Sequence, residues 1–436
     1  MLTTVFATIF VLGVLIFVHE LGHFLAAKKI GIRVERFSLG FPPKMVGKKI
    51  GDTEYCVSWI PLGGYVKMAG EHPNKEELTG ARWEFQSRKV WERMVVVFSG
   101  PAMNFVTAVL IFWGMISIGG LVSLKTTQIG QIEEKSLAAR VGLQVGDRVL
   151  SVAGSPVEEW TDIYSTIEKF RGPTVSIEVD RQGEVHRFTL SRGEIEETGD
   201  YTLGLSPLIG TEVGSVKKNK PAYRSGMRAG DTVVAVDGHP VLRWEEMAKL
   251  IHAKPGVPIS VKWVRGGQTF EAEITPEKRK GVNVQGQLEE IGLIGIGPKV
   301  ERKWVGIFSS LWLGFRQTLY VTELTVIFVK KLILHQVSAK LLGGPVSIAR
   351  MAGETARSGL MDLFGLMALL SVNLALLNIL PIPILDGGHV LFLILEGVTR
   401  KPLNPKQRGI LQQIGLAFLI LLMVYVTYND ILKLFQ

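Results

Sequence analysis

Residues 1–27 form an almost unbroken apolar run whose only ionisable side chains are His19, Glu20 and His23. A helix crossing a bilayer core of about 30 Å needs about 20 such residues, so this run is long enough to span. A cleaved signal peptide is the competing reading. It fits poorly, because no basic segment precedes the run and the apolar stretch exceeds an ordinary signal core. A retained first span is expected. Three ionisable groups within five residues are expensive in such a helix and mark function rather than packing.

Residues 19–23 read His-Glu-Leu-Gly-His, the pattern H-E-x-x-H. Residues four apart share a helix face, so both imidazoles reach one ion, and the intervening glutamate can take a proton from water. A polar interface between helices is the plainer alternative, and it needs no such spacing. The pattern points to a zinc site with His19 and His23 as ligands and Glu20 as catalytic base.

Further apolar stretches run from about Met94 to Leu124, Leu363 to Leu380 and Ile410 to Tyr428. They account for a mean hydropathy of +0.26 in a chain only 47% apolar. The net charge of +9 does not point to nucleic acid. Thirteen Lys and Arg residues lie between Lys28 and Arg93, where the positive-inside rule collects them in a cytoplasmic loop. The 397–409 segment, with Arg400, Lys401, Lys406 and Arg408, is expected on the same side. Residues 125–360 and both chain ends then face the other side. Residues 304–334 are apolar, but Arg316 and Glu323 lie near their middle, each costing about 2.5–3.5 kcal/mol at a helix centre. An amphipathic helix is expected there, with Trp304, Phe308, Leu311, Trp312 and Phe315 turned inward. A single cysteine, Cys56, excludes an internal disulfide and any paired-cysteine metal motif.

The long 125–360 region repeats itself. Gly130, Gly142, Gly146, Asp147, Val152, Gly154, Pro156 and Trp160 recur 84 positions later as Gly214, Gly226, Gly230, Asp231, Val236, Gly238, Pro240 and Trp244. Each copy reads as strand, Gly-Asp turn, strand and helix, a small β-rich unit. The pattern A-x-x-x-G-[LM]-x-x-G-D resembles PDZ domains, which bind chain termini or extended peptides by strand addition. A pair of rigid spacers that bind nothing is the alternative.

A catalytic zinc takes three protein ligands and water, and no third histidine follows at a suitable spacing. The best candidate is Asp386, in the segment running from Asn378 through Pro381, Pro383 and Asp386 to His389. An acid bounded by helix breakers in an apolar stretch again asks for a partner. Spans one and three enter from the same side. At 1.5 Å per residue, His19 and Leu380 both lie about 25 Å along their helices, which brings Asp386 near the histidines. His389 as a fourth ligand would displace the water. A zinc or proton transporter also places such groups in spans, but two globular repeats are odd baggage for one. A catalytically dead scaffold would have no use for an intact Glu20.

Together these motifs resemble the site-2 protease family of intramembrane zinc metalloproteases, along essentially the whole chain. Gly100-Pro101-Ala102-Met103-Asn104, Gly343-Gly344-Pro345 and Leu62-Gly63-Gly64-Tyr65-Val66-Lys67 are similar to family sequence. The resemblance implies a multi-pass α-helical membrane protein with four transmembrane helices and two PDZ-like domains between the second and third. It implies that Gly63, Gly64 and Tyr65 belong to a membrane-associated hairpin offering an edge to an extended substrate, and that Asn378, Pro381 and Pro383 contact substrate. It further implies Zn2+ as cofactor, the bilayer of the bacterial inner membrane as setting, and single-pass proteins such as an anti-sigma factor or a remnant signal peptide as substrates. The PDZ-like pair would then screen substrates or hold peptide ends. The expected division is 1–27 first span, 28–92 cytoplasmic loop with the hairpin, 93–124 second span, 125–200 and 201–298 PDZ-like domains, 299–360 amphipathic connection, 361–396 third span, 397–409 cytoplasmic loop, and 410–436 fourth span.

Overall fold

The computed structural model describes residues 1–71, 79–198, 202–282, 288–401 and 404–435. The expected boundary at residues 200 and 201 lies outside them. The chain divides into two compact units, residues 1–119 with 305–436, and residues 120–304.

The first unit is mostly helical. Helix α1 (Leu2–Ile30) ends at Gly31, whose φ of 84° closes the helix with its N–H on the Ala27 and Lys28 carbonyls. Lys28 and Lys29 lie in the last turn, where cations offset the helix dipole. A long antiparallel hairpin follows, β1 (Val34–Ile50) paired with β2 (Thr53–Met68). Helix α2 (Val90–Gly119) carries Pro101 in its interior. Among the described residues, four helices are long and apolar enough to cross a membrane: α1, α2, Leu360–Ile379 and residues 406–432.

Along α1 the packing changes character. Ala7, Val11 and Leu15 join one buried apolar cluster with Leu363, Leu366 and Met367, and Ala27 joins another with Val34, Val96, Val97 and Leu393. His19, Gly22 and His23 occupy the interval and are buried too. The polar groups therefore sit between two closed apolar layers.

The second unit opens with β3 (Leu121–Ser123) and holds the repeat. Its first copy runs β4 (Ile129–Ile132), α3 (Leu137–Val141), β5 (Arg148–Val152), β6 (Ser155–Pro156), α4 (Trp160–Lys169), β7 (Thr174–Arg181), β8 (Glu184–Ser191), α5 (Arg192–Thr198) and β9 (Leu205–Pro207). The second runs β10 (Val213–Val216), α6 (Pro221–Arg224), β11 (Thr232–Val236), β12 (His239–Pro240), α7 (Trp244–His252), β13 (Ile259–Arg265) and β14 (Gln268–Ile274). There the hairpin β15 (Glu277–Val282) and β16 (Leu288–Leu293) replaces α5 before β17 (Ile296–Pro298), and β18 (Glu301–Lys303) returns to pair with β3. Both copies build a four-stranded sheet of the same order, β6-β5-β7-β8 and β12-β11-β13-β14, and a separate two-stranded pair, β4-β9 and β10-β17.

The repeated Asp has a structural purpose. Buried Asp147 takes two hydrogen bonds from Arg181, at 2.7 and 2.8 Å, and Asp231 takes two from Arg265, at 2.6 and 2.7 Å. Each arginine also donates to the carbonyl of the glycine one turn earlier, Gly142 or Gly226. Burial alone would raise these two carboxyls, but the guanidinium and a backbone amide outweigh it and hold both below the usual range.

The remaining helices of the first unit are α8 (Ile307–Ile333), α9 (Pro345–Ser358), α10 (Leu360–Ile379), α11 (Asp386–Thr399) and α12 (Pro405–Phe435). The expectation for α8 is reversed. Trp304, Phe308 and Trp312 are 67%, 85% and 60% exposed, and Leu311 is exposed as well. The buried face is Ser310, Gly314 and Thr318. A methyl group on Gly314 would lie 2.7 Å from the Trp113 nitrogen, so α8 and α2 pack backbone to backbone. Small residues make such contacts between helices in lipid, where large apolar side chains gain nothing by turning inward. Of the five expected residues, Phe315 is half-buried and meets the Phe105 ring at 6.3 Å.

Candidate metal centre

The third apolar region is two helices, not one. Pro381 disfavours helical backbone at Leu380 and offers no N–H, so α10 ends there. The turn through Pro383 is held by Ile382 N–H on the Leu380 carbonyl (2.7 Å) and Leu385 N–H on the Ile382 carbonyl (2.8 Å). Helix α11 then starts at Asp386, an acid in the first turn, where the dipole favours it. Gly388 lets that turn fold back tightly, since a methyl there would lie 2.5 Å from the Pro383 Cα.

This brings Asp386 to two histidines more than 360 residues away along the chain. Asp386 Oδ2 lies 3.0 Å from His19 Nε2 and 3.5 Å from His23 Nε2, and the two Nε2 atoms are 3.3 Å apart. Bonds of about 2.0–2.1 Å to a tetrahedral zinc put ligand atoms about 3.3–3.4 Å apart. The three separations match the edges of one face of that tetrahedron. Asp386 Oδ2 is buried and takes no geometrically sound hydrogen bond, as expected of an atom whose partner is a cation. Two imidazoles and one carboxylate are a zinc-type donor set.

Each histidine is oriented from α2. Two glycines let the helices close: a methyl on Gly22 would lie 3.0 Å from Met103 Cβ, and one on Gly100 would lie 2.6 Å from the His23 ring. His23 Nδ1–H donates to the Val96 carbonyl at 2.9 Å, which leaves Nε2 unprotonated and aimed at the cluster. His19 Nδ1 lies 3.1 Å from the side-chain amide of Asn104. Asn104 is fully buried, and its Oδ1 has no partner when Nδ2 faces the ring. Turning the amide over lets Oδ1 accept from His19 Nδ1–H, the tautomer that frees Nε2 for a metal. The Ser371 hydroxyl, from α10, donates to the Asn104 carbonyl at 2.8 Å.

Glu20 stands beside this cluster, partly exposed, with the Val66 backbone of β2 near its carboxyl. Gly64 lies directly against it, where a methyl would stand 3.2 Å from Glu20 Cγ and 3.4 Å from Ile16 Cγ2. Strand β2 therefore runs along the His19–His23 turn of α1, and a glycine leaves that stretch uncovered. Gly63 packs on the Phe41 ring. The Tyr65 hydroxyl accepts from Arg36 at 3.2 Å. Asn378 is in the last turn of α10, half-buried, while Pro381 and Pro383 shape the turn before Asp386. His389 faces elsewhere, with Nδ1 accepting from Arg408 at 3.0 Å; it is not part of the His19, His23 and Asp386 group.

Sequence reasoning assigned no role to Asn104, although its four-residue spacing from Gly100 puts both on one face of α2. It also missed a buried ion pair between α2 and α11, Arg93 to Glu396 at 2.5 and 3.1 Å. That pair ties the helix bearing Asp386 to the helix that orients both histidines.

The sequence profile of Peptidase family M50 matches residues 7–422. The chain belongs to that family. It is 33% identical to the regulator of sigma-E protease RseP of Escherichia coli over 97% of both chains. It is 33% identical to the regulator of sigma E protease of Haemophilus influenzae over 98% of both. A protein of Neisseria meningitidis described as a candidate zinc metalloprotease is 34% identical over 99% of both. Among solved structures, the PDZ domain of the SdrC-like protein of Listeria monocytogenes is similar, with 27% identity, 20% of this chain and 86% of that chain covered, and a TM-score of 0.17. The chain is a multi-pass membrane zinc metalloendopeptidase of the site-2 type, with four candidate membrane helices among its described residues and a repeated strand-rich unit between the second and third.

Proposed function

We propose that His19, His23 and Asp386 hold the zinc, that Glu20 is the catalytic base, and that the enzyme cuts single-pass membrane proteins inside the inner membrane. The observation that carries this reading is the convergence of the three donor atoms within 3.0–3.5 Å beside a glutamate on the same helical turn. Zinc, when bound, supplies Lewis acidity that polarises a scissile carbonyl and acidifies water. Glu20 takes the proton from the attacking water and later delivers it to the leaving amine. The open backbone around Gly64 receives the substrate as an added strand, with Gly63 and Tyr65 on the same segment and Asn378, Pro381 and Pro383 lining the other side. A substrate helix has to unwind first, because its scissile carbonyl is otherwise bonded within the helix.

In this reading the 28–92 and 397–409 loops are cytoplasmic and the PDZ-like domains periplasmic. The substrates are proteins of the anti-sigma-factor type, already trimmed outside the membrane, or remnant signal peptides, and the PDZ-like pair screens them. The test is cleavage by the full-length enzyme, reconstituted in lipid, of one single-pass substrate with its outer domain intact or removed. Mass spectrometry should place the cut within the membrane segment of the trimmed form. A zinc-loaded enzyme that cuts neither form, or cuts only outside that segment, contradicts the reading.

A further inference from the structure

One face of α2 lines up the contacts that orient the candidate metal centre. Its buried positions include Arg93, Val96, Gly100 and Asn104, spaced three or four apart and therefore in line along the helix. Asn104 meets His19, Gly100 lets the His23 ring approach, and the Val96 carbonyl accepts from His23. Arg93 is the fourth, and its guanidinium reaches two places at once. Nη2 donates to Glu396 Oε1 at 2.5 Å and Nη1 to Glu396 Oε2 at 3.1 Å, while Nη1 also donates to Gln86 Oε1 at 3.1 Å. The Arg93 side chain is only 5% exposed.

The two arms lead to different parts of the proposed site. Glu396 lies ten residues after Asp386 on α11, about 15 Å along it at about 1.5 Å per residue. A tilt of about 1° over that length moves Asp386 by about 0.3 Å, already more than the roughly 0.2 Å within which zinc–ligand distances hold. Gln86 sits in the one-turn helix Phe85–Ser87. Its Nε2 donates to the Glu71 carbonyl at 3.2 Å, and the Phe85 N–H donates to the Ala69 carbonyl at 2.8 Å. Both carbonyls continue directly from β2. The last residues of that strand, 64–68, pair only with 34–39 among the described strands, so they form a free edge, and Gly64 of that edge lies against Glu20. Met68, Phe85, Val97 and Leu393 share one buried apolar cluster. Apolar contact is non-directional, so it holds these pieces together without setting their angles. A bidentate guanidinium does set them.

We infer that Arg93 is a positioning residue for proteolysis, keeping the helix that carries Asp386 and the strand edge beside Glu20 at one spacing. The Glu396 arm aims Asp386 at the histidines, and the Gln86 arm holds residues 64–68 along the His19–His23 turn. The substrate half of this inference rests on the proposed function; the metal half rests on the donor geometry alone.

The test uses the full-length enzyme in lipid nanodiscs. Its readouts are zinc affinity by competition with a chelating dye, hydrogen exchange, thermal midpoint, and kinetics on the trimmed substrate. Arg93→Met with Glu396→Met replaces both charges by apolar chains, a change that commonly leaves a buried pair's stability equal or higher. Zinc should nevertheless bind about tenfold more weakly or worse. The value of kcat should fall by a similar factor, KM should rise, and exchange at 64–68 should quicken. Gln86→Leu cuts one arm only. It should raise KM about threefold and quicken exchange at 64–68, with zinc affinity and kcat unchanged. A pair that serves packing alone predicts unmodified zinc affinity and kcat in the double variant at an unmodified thermal midpoint, and that result overturns the inference. So does Gln86→Leu weakening zinc as much as the double variant does, because the arms are then not separate. If the double variant does not accumulate in membranes, Glu396→Gln carries the test: zinc about threefold weaker supports the inference, and unchanged affinity overturns it. Failure of the unmodified, zinc-loaded enzyme to cut the trimmed substrate contradicts the proposed function instead, and zinc affinity and exchange still decide the role of Arg93.

Discussion

The helical unit and the strand-rich unit solve the problem of a specific interior in opposite ways. In residues 120–304 each copy of the repeat closes over an ordinary apolar core, such as Val149, Ile163, Ile167 and Ile177, all fully buried. Each such side chain contributes about 1.5–3 kcal/mol through burial. The repeated Asp–Arg clip lies at the edge of that core and fixes a turn. In the helical unit, apolar surface is everywhere and cannot discriminate one contact from another. Position there comes from small residues that let helices close, Gly22 and Gly314 against backbone and Gly100 against the His23 ring, and from a few buried polar contacts. Those contacts cluster on the groups proposed to hold the metal: Asn104 on His19, the Val96 carbonyl on His23, and Arg93 on Glu396 at the far end of the helix that starts with Asp386. Polar substitutions should therefore damage function in one unit and stability in the other.

The sharpest break of this contrast is Glu20→Gln. Turnover should fall by about 10²–10⁴, the usual worth of a general base, while zinc content and thermal stability stay at the unmodified level. Loss of metal in this variant would make Glu20 a ligand rather than a base. Next comes Asn104→Ala, expected to weaken zinc about 10–100-fold, measured by competition with a chelating dye. Asn104→Asp, which keeps an acceptor for His19 Nδ1–H, should recover much of that affinity. Equal losses in both would reduce Asn104 to a packing residue.

The strand-rich unit should respond differently. Asp147→Ala or Asp231→Ala is expected to destabilise its own copy of the repeat by about 1.5–3 kcal/mol, read by denaturant unfolding, with zinc content unchanged. The smallest effect is on pH dependence. Both carboxyls are held below their ordinary values in the folded state. Their stabilisation is thus complete above the unfolded carboxyl value of about 3.9 and is lost as pH falls through the lower folded value. Stability of the unmodified protein against unfolding should fall below about pH 4, and the Asp147→Asn, Asp231→Asn double variant should show a flatter profile. Identical profiles would show that the clips contribute nothing in this range.

Much of this arrangement was legible in the chain itself. The H-E-x-x-H spacing needs no tertiary information, because four residues are one helical turn. Asp386 stood out as an acid among apolar residues next to two prolines, and the repeat was visible as identities at one offset. What could not be read is contact between distant segments. Nothing local says that Asn104 meets His19, 85 residues away, or that Arg93 meets Glu396, 303 residues away. The face of α8 was misread for a physical reason. Amphipathic patterns are read with water as the reference solvent, and here Gly314 and its small neighbours face the protein while the tryptophans face outward.

The central claim is that Asp386 completes the zinc site built on α1. Its most direct test is the zinc content of purified Asp386→Ala beside that of Asn378→Ala and the unmodified enzyme. The account predicts about one zinc per chain for the unmodified enzyme and Asn378→Ala, and little or none for Asp386→Ala after dialysis against a weak chelator. Full zinc occupancy in Asp386→Ala would contradict it and would place the third ligand elsewhere.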